Sequence, residues 1–158
     1  MSNQALIPNP AQQNTQLLSR LQSGQLLQVH APRGGTVIIC HKYYAQIVGH
    51  GAAIGGSLDV DCDRIIPIGN VSFSYPKSRA ERQKAYQVRK RWIEATQKAV
   101  KHLVAANRAR IILVMLKKRC GSQEVSRLPD EVLAKLIGVL PQTMAVIRQG
   151  INDSSFAA

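Results

Sequence analysis

Side chains with the types and spacing for chemistry occur early in this sequence. Cys40 and His41, with His50 ten residues after the cysteine and Asp59, Asp61 and Asp63 beyond, contain the parts of a thiol-nucleophile site. Such a site needs a cysteine, an imidazole to take its proton and a third group to orient that imidazole. Neighbours on an extended strand point to opposite faces, so Cys40 and His41 do not form the pair. Cys40 with His50 requires the chain to return beside itself, whereas the run Val37-Ile38-Ile39-Cys40 reads more simply as a buried strand carrying an inert thiol. A thiol-dependent enzyme is therefore a minor alternative. The alternating Asp59, Asp61 and Asp63 offer oxygen ligands for a divalent cation, but the glycine and terminal glutamate of a calcium loop are missing. An acidic face that answers Arg64 or the downstream cations needs no metal. Gly49 to Gly56 lacks the Gly-Lys-Ser/Thr ending of a phosphate loop. No metal, cofactor or catalytic residue is assigned.

The charge distribution is more specific. The chain carries a net charge of +12, and all of it lies between Lys77 and Arg119, where fourteen Lys and Arg meet only Glu81 and Glu94. A field this localised draws an acidic protein face, a nucleic acid or an anionic membrane surface to one part of the molecule. Arg82, Arg89, Lys90, Arg91, Lys98 and Lys101 are the candidate electrostatic contacts, expected to turn outward. Phosphate neutralisation by such residues releases counterions and supplies sequence-independent affinity. Trp92 falls among the apolar positions and reads as core rather than as a base-stacking platform. No helix-turn-helix, zinc-finger or RNA-recognition signature accompanies the cations.

The elements that must position these residues follow from periodicity. Residues 1–24 are polar and glutamine-rich, with Pro8 and Pro10 near the start, and predict a flexible arm with a short helix over 15–22 that stops at Gly24. From 25 to 75, apolar and β-branched runs alternate with glycine turns. They predict strands at 26–30, 36–40, 43–48, 58–62, 64–68 and 71–75, with 52–58 as strand or glycine-rich loop. At Ser78-Arg79-Ala80-Glu81 a capping box opens a helix whose apolar positions Ala85, Val88, Trp92, Ala95, Ala99 and Leu103 recur at spacings of three and four, ending before Asn107. A second helix, over 108–119, is apolar all round through Ile111 to Leu116, so it is expected to be buried on most sides and to stop at Gly121. Pro129 opens a third helix and Pro141 a fourth, with a fraying tail over 152–158.

The segment Leu128-Pro129-Asp130-Glu131-Val132-Leu133-Ala134-Lys135-Leu136-Ile137-Gly138-Val139-Leu140 resembles the opening of an F-box over its thirteen residues. In that family a leucine-proline pair begins a short helix whose apolar residues pack against the Skp-type adaptor of a ubiquitin ligase. The resemblance implies that Leu128, Pro129, Val132, Leu136 and Leu140 are partner contacts. The same pattern suits a core helix with proline in its first turn. The basic helix, the aliphatic helix ending in Lys-Lys-Arg and the leucine-proline helix together look similar to the C-terminal regions of secreted effectors of intracellular bacteria, which implies a virulence protein that binds host components.

The expected architecture is α+β: a small, mostly antiparallel sheet over 25–75 followed by three or four helices over 76–151. Cys40, Cys62 and Cys120 are odd in number and lack CxxC spacing, which predicts a reducing, cytoplasmic compartment. Neither a basic leader nor an apolar run of about 18 residues is present, so a soluble protein is expected, with any export into a host cell independent of a Sec signal. The expected function is a non-enzymatic protein-interaction module docking on an acidic or adaptor-type protein, with nucleic-acid or anionic-lipid binding by residues 78–105 as the alternative.

Overall fold

The computed structural model describes residues 10–156, with side chains described for 13–152. Its elements run α1 (Pro10–Gln22), β1 (Leu26–His30), β2 (Thr36–Cys40), β3 (Ala45–Gly49), β4 (Ala53–Gly55), β5 (Arg64–Ile68), β6 (Ser72–Ser74), α2 (Arg79–Val100), α3 (Ala105–Cys120), α4 (Ser122–Ser126), α5 (Asp130–Ile137) and α6 (Pro141–Phe156). The fold is α+β. Two antiparallel three-stranded sheets, β4-β1-β6 and β3-β2-β5, precede most of the helices.

Strand β2 lies at the centre because every one of its residues is buried, so both of its faces need a partner layer. Val37 and Ile39 point into a core shared with Leu27 and Val29 of β1, Ile54 of β4 and Ile65 of β5. Ile38 and Cys40, on the opposite pleat, join Ile47 and Ile68 in a second core completed by the helices. The second sheet is thus sandwiched between the first sheet and α3, α5 and α6. Pro67 pairs with Val37 on the edge strand β5, where a missing N–H costs no central ladder bond.

The arm expected over 1–24 is described only from Pro10, and from there it is helical, five residues earlier than Thr15. Leu17 and Leu21 of α1 close the inter-sheet core, which explains why this polar stretch is held. The strand expected over 58–62 is a loop, and β4 occupies 53–55 instead. Asp59 redirects that segment: its carboxylate is fully buried, takes the Gly55 N–H at 2.7 Å and pairs with Arg89. Gly55 turns there with φ +87°, which admits no side chain without strain.

Helix α2 begins as expected. Ser78 Oγ accepts the Glu81 N–H, and Glu81 reaches back to accept the Lys77 N–H at 2.6 Å. It ends at Val100, several residues before Asn107, and beyond its end the His102 and Leu103 carbonyls accept from the Arg108 guanidinium. Leu103, expected on the apolar stripe, is consequently 97% exposed. Helix α3 is one-sided rather than buried all round: Ala109, Ile112, Leu113 and Leu116 face the core and Val114 faces solvent. Gly121 stops it at φ +87° and donates to the Lys117 carbonyl. A short α4, absent from the sequence reading, follows at once, and α6 continues through 152–156, where fraying was expected. Residues 157–158 lie outside the described part.

One buried ionic knot fixes α2 on both sheets. Arg89 donates twice to the Asp59 carboxylate, at 3.0 Å on each branch, and also to the Ala53 carbonyl of β4 and the Gln46 side chain of β3. Arg89 is 1% exposed and Asp59 fully buried. Removing one partner strands the other charge away from water, at a cost of about 3–5 kcal/mol. Asp59→Ala should therefore lower the unfolding free energy in urea by about that amount, with Asp59→Leu/Arg89→Met recovering part of the loss. An unchanged midpoint in Asp59→Ala would show that the pair does not anchor α2.

Candidate functional site

Helix α2 lays Ala85, Val88, Arg89, Trp92, Thr96 and Ala99 against the sheets, and its other side faces solvent. Of the expected electrostatic contacts, Arg82, Lys90, Arg91, Lys98 and Lys101 are exposed. Arg89 is the correction: its position on the inward face, one turn from Ala85, takes it into the knot with Asp59 instead of toward a partner. Lys84, Arg91 and Lys98 recur at intervals of seven, nearly two helical turns, and so form a line roughly 21 Å long on the exposed side. Glu94 is exposed on a neighbouring line.

Other elements extend this line, and sequence separation hid them. At the start of α2 a groove of about 570 Å³ contains Lys77, Lys84, His50 and Gln28, with Glu81 on its wall. His50 belongs to the β3–β4 turn and stacks edge-on against His30 at 5.2 Å. Its Nδ1 accepts the Ala31 N–H, so the neutral ring carries its proton on Nε2. The same turn passes along α2, and Gly49 permits the close approach. A Cβ at Gly51 would meet Val88, and one at Gly49 would collide with the Trp92 ring. Arg119, at the end of α3, lies over that ring at 4.1 Å. Gly34 of the β1–β2 turn abuts the Arg119 carbonyl, which brings exposed Arg33 into the neighbourhood. The outcome is a cationic face built from α2, the end of α3 and two sheet turns. Trp92, expected to be core, is half-buried beneath Arg119.

Among the fourteen cations of the 77–119 window, Arg89 is consumed by the knot and Arg108 is half-buried, held by the His102, Leu103 and Ile137 carbonyls. The remainder are exposed, and among the described residues none of them forms an ion pair with a carboxylate.

The leucine-proline segment lies mostly in the core, a placement its spacing also allowed. Leu128, Val132 and Leu136 are buried in the protein's own helical core, Pro129 is half-buried, and Leu140 alone of the five is exposed. Arg148 of α6 seals the segment by donating to the Leu128 carbonyl at 2.6 Å and to Asp130. A helix that begins with proline and repeats aliphatics every three or four residues packs on any apolar neighbour, and here α3 and α6 are that neighbour.

The early Cys, His and Asp residues do not assemble a nucleophile. Cys40 sits in the helical core, while His50 is engaged with Ala31 and His30. His41 is buried, with Nδ1 2.8 Å from Asp61 and Nε2 3.3 Å from Asp59, the latter without hydrogen-bond alignment. Asp59 and Asp61 thus answer Arg89 and His41, and no cluster of three metal-ligating side chains occurs among the described residues. Burial pushes all three thiols up, and the Asp59, Asp61 and Asp63 carboxylates help to raise Cys62 to about 11. No helix among the described residues is long and apolar enough to cross a membrane.

Comparison with protein-family models, curated proteins and solved structures finds no match.

Alkylation tests the thiol chemistry. Iodoacetamide reacts with thiolate, and folding raises these pKa values, so the native protein at pH 7.5 should leave Cys40 and Cys62 unlabelled by mass spectrometry. Labelling of Cys62 should grow only as pH approaches 11 or on denaturation. Labelling of native Cys40 at the rate of a free thiol would restore the nucleophile reading.

Proposed function

We propose that this protein is a non-enzymatic binding module whose basic face, centred on α2 and extended by the end of α3, engages the phosphate backbone of a nucleic acid. The observation that carries this reading is the row of exposed cations over 77–119 with which no carboxylate of the described residues forms an ion pair. Unpaired surface cations attract counterions, and their release onto phosphate supplies affinity without base recognition. The line Lys84-Arg91-Lys98 is rigid because α2 is fixed at Arg89, midway along it. Rigid cations lose less freedom on binding than a flexible basic tail would.

Two features favour nucleic acid over the other anionic partners. An anionic bilayer binds helices that present a broad apolar face beside their cations. The apolar stripe of α2 is instead committed to the sheets, leaving Leu103 and Val104 beyond its end as the exposed aliphatics nearby. Docking on an adaptor-type protein through the leucine-proline helix would require that helix to leave its core, since Leu128, Val132 and Leu136 are buried.

Titration of a fluorescein-labelled oligonucleotide by anisotropy across a series of KCl concentrations tests the reading. The logarithm of affinity should fall linearly with the logarithm of salt, and Lys84→Gln/Arg91→Gln/Lys98→Gln should reduce the slope by about 2 on a single strand. The same triple variant should weaken binding at low salt at least about tenfold, whereas Leu140→Ala should leave it unchanged. Salt-insensitive binding, or full binding by the triple variant, contradicts a phosphate interface; recovery of acidic protein alone from a nuclease-treated lysate points to a protein partner.

A further inference from the structure

One cation on this face is held differently from the rest. Arg119 is exposed, yet its guanidinium lies over Trp92, the chain's single tryptophan, at 4.1 Å from the ring centroid. Both members of the pair are fixed from beneath. The Trp92 ring rests on Gly49, where a side chain would collide with it, and touches both hydrophobic cores. The Arg119 backbone is fixed by the end of α3, where Gly121 donates to the Lys117 carbonyl, and by the turn at Gly34, whose Cβ position is 3.1 Å from the Arg119 carbonyl oxygen.

We propose that Arg119, supported on Trp92, is a stacking platform for an unpaired nucleobase, so that the basic face takes single-stranded nucleic acid in preference to duplex. This deepens the nucleic-acid reading above and rests on it. A guanidinium is planar and weakly hydrated, and it stacks on π-faces as readily as it pairs with phosphate. With one side of Arg119 against the indole, its solvent side remains available to a second ring. Trp92 is half-buried, with the guanidinium over its ring, which is why the platform is the arginine rather than the tryptophan. The surrounding cations, Arg91, Lys118 and Arg33, are exposed and suited to the phosphates on either side of a splayed base. In a duplex the bases are stacked on each other and offer no free face, so only the phosphate contacts remain.

The test compares a labelled 12-nucleotide single strand with its duplex at one low salt concentration, using the full chain and the variants Arg119→Lys and Lys118→Gln. Arg119→Lys keeps the charge and removes the plane. The wild type should bind the single strand more tightly, with quenching of Trp92 emission on saturation. Arg119→Lys should weaken single-strand binding about fivefold or more and leave duplex binding unchanged. Lys118→Gln should weaken both forms alike, as loss of a phosphate contact does. Thermal midpoints measured in parallel separate this from a packing role: an Arg119→Lys variant that is less stable but still discriminates like the wild type makes Arg119 a lid on Trp92 and overturns the inference. Equal affinity of the wild type for the two forms also overturns it while leaving the phosphate interface intact. A wild type that binds neither form removes the nucleic-acid reading itself.

Discussion

The buried pairing of Arg89 with Asp59 is the interaction on which the arrangement of this protein depends. Arg89 arises from the middle of α2, Asp59 from the loop between β4 and β5, and the two terminal nitrogens of the guanidinium also reach Gln46 on β3 and the Ala53 carbonyl on β4, while Nε–H has no partner. Those two strands belong to different sheets. One side chain therefore sets the orientation of the longest helix relative to both. An ion pair of this kind is not a cheap source of stability, since both charges leave water and are repaid only through close geometry and further hydrogen bonds. Its contribution is positional, because few orientations of α2 satisfy all of these acceptors together.

Fixing Arg89 inward determines what faces outward. On a helix, consecutive residues turn by about 100°, so Lys90 and Arg91 fall on either side of the solvent face while Trp92 returns to the sheet turn at Gly49. The charged run Arg89-Lys90-Arg91 thereby divides into one structural cation and two free ones. The end of α3 adds Lys117, Lys118 and Arg119, which also complement the negative end of that helix's dipole. The cationic face is thus a consequence of packing: apolar contacts bring α3 beside α2, and the close approach of Gly34 and Gly49 lets the sheet turns join them.

Much of the scaffold was legible in the sequence. The strands at 26–30, 36–40 and 64–68 follow from short apolar runs bounded by turn residues, and the capping box marks the start of α2. The failures share one physical cause, a partner distant in the chain. Asp59-Val60-Asp61 alternates like a strand, but Asp59 is drawn into the core by an arginine thirty residues away. Arg89 looks like any surface cation until that carboxylate is placed beneath it. The helix of Leu128, Val132 and Leu136 was no such failure: its spacing admitted both a core and a docking face, and the residues are buried. The meeting of Arg119 with Trp92, and of both with the turns at Gly34 and Gly49, has no local signal beyond the glycines themselves.

In the proposed reading one rigid basic face, and not the leucine-proline helix, meets the partner. Backbone amide chemical shifts followed by NMR during titration with a single-stranded oligonucleotide test it most directly. Binding through the basic face should perturb only the exposed side of 77–101, the turns at 33–34 and 49–51, and residues 117–119, with 128–140 unmoved. Perturbations centred on 128–140, or spread evenly over both sheets, would contradict it.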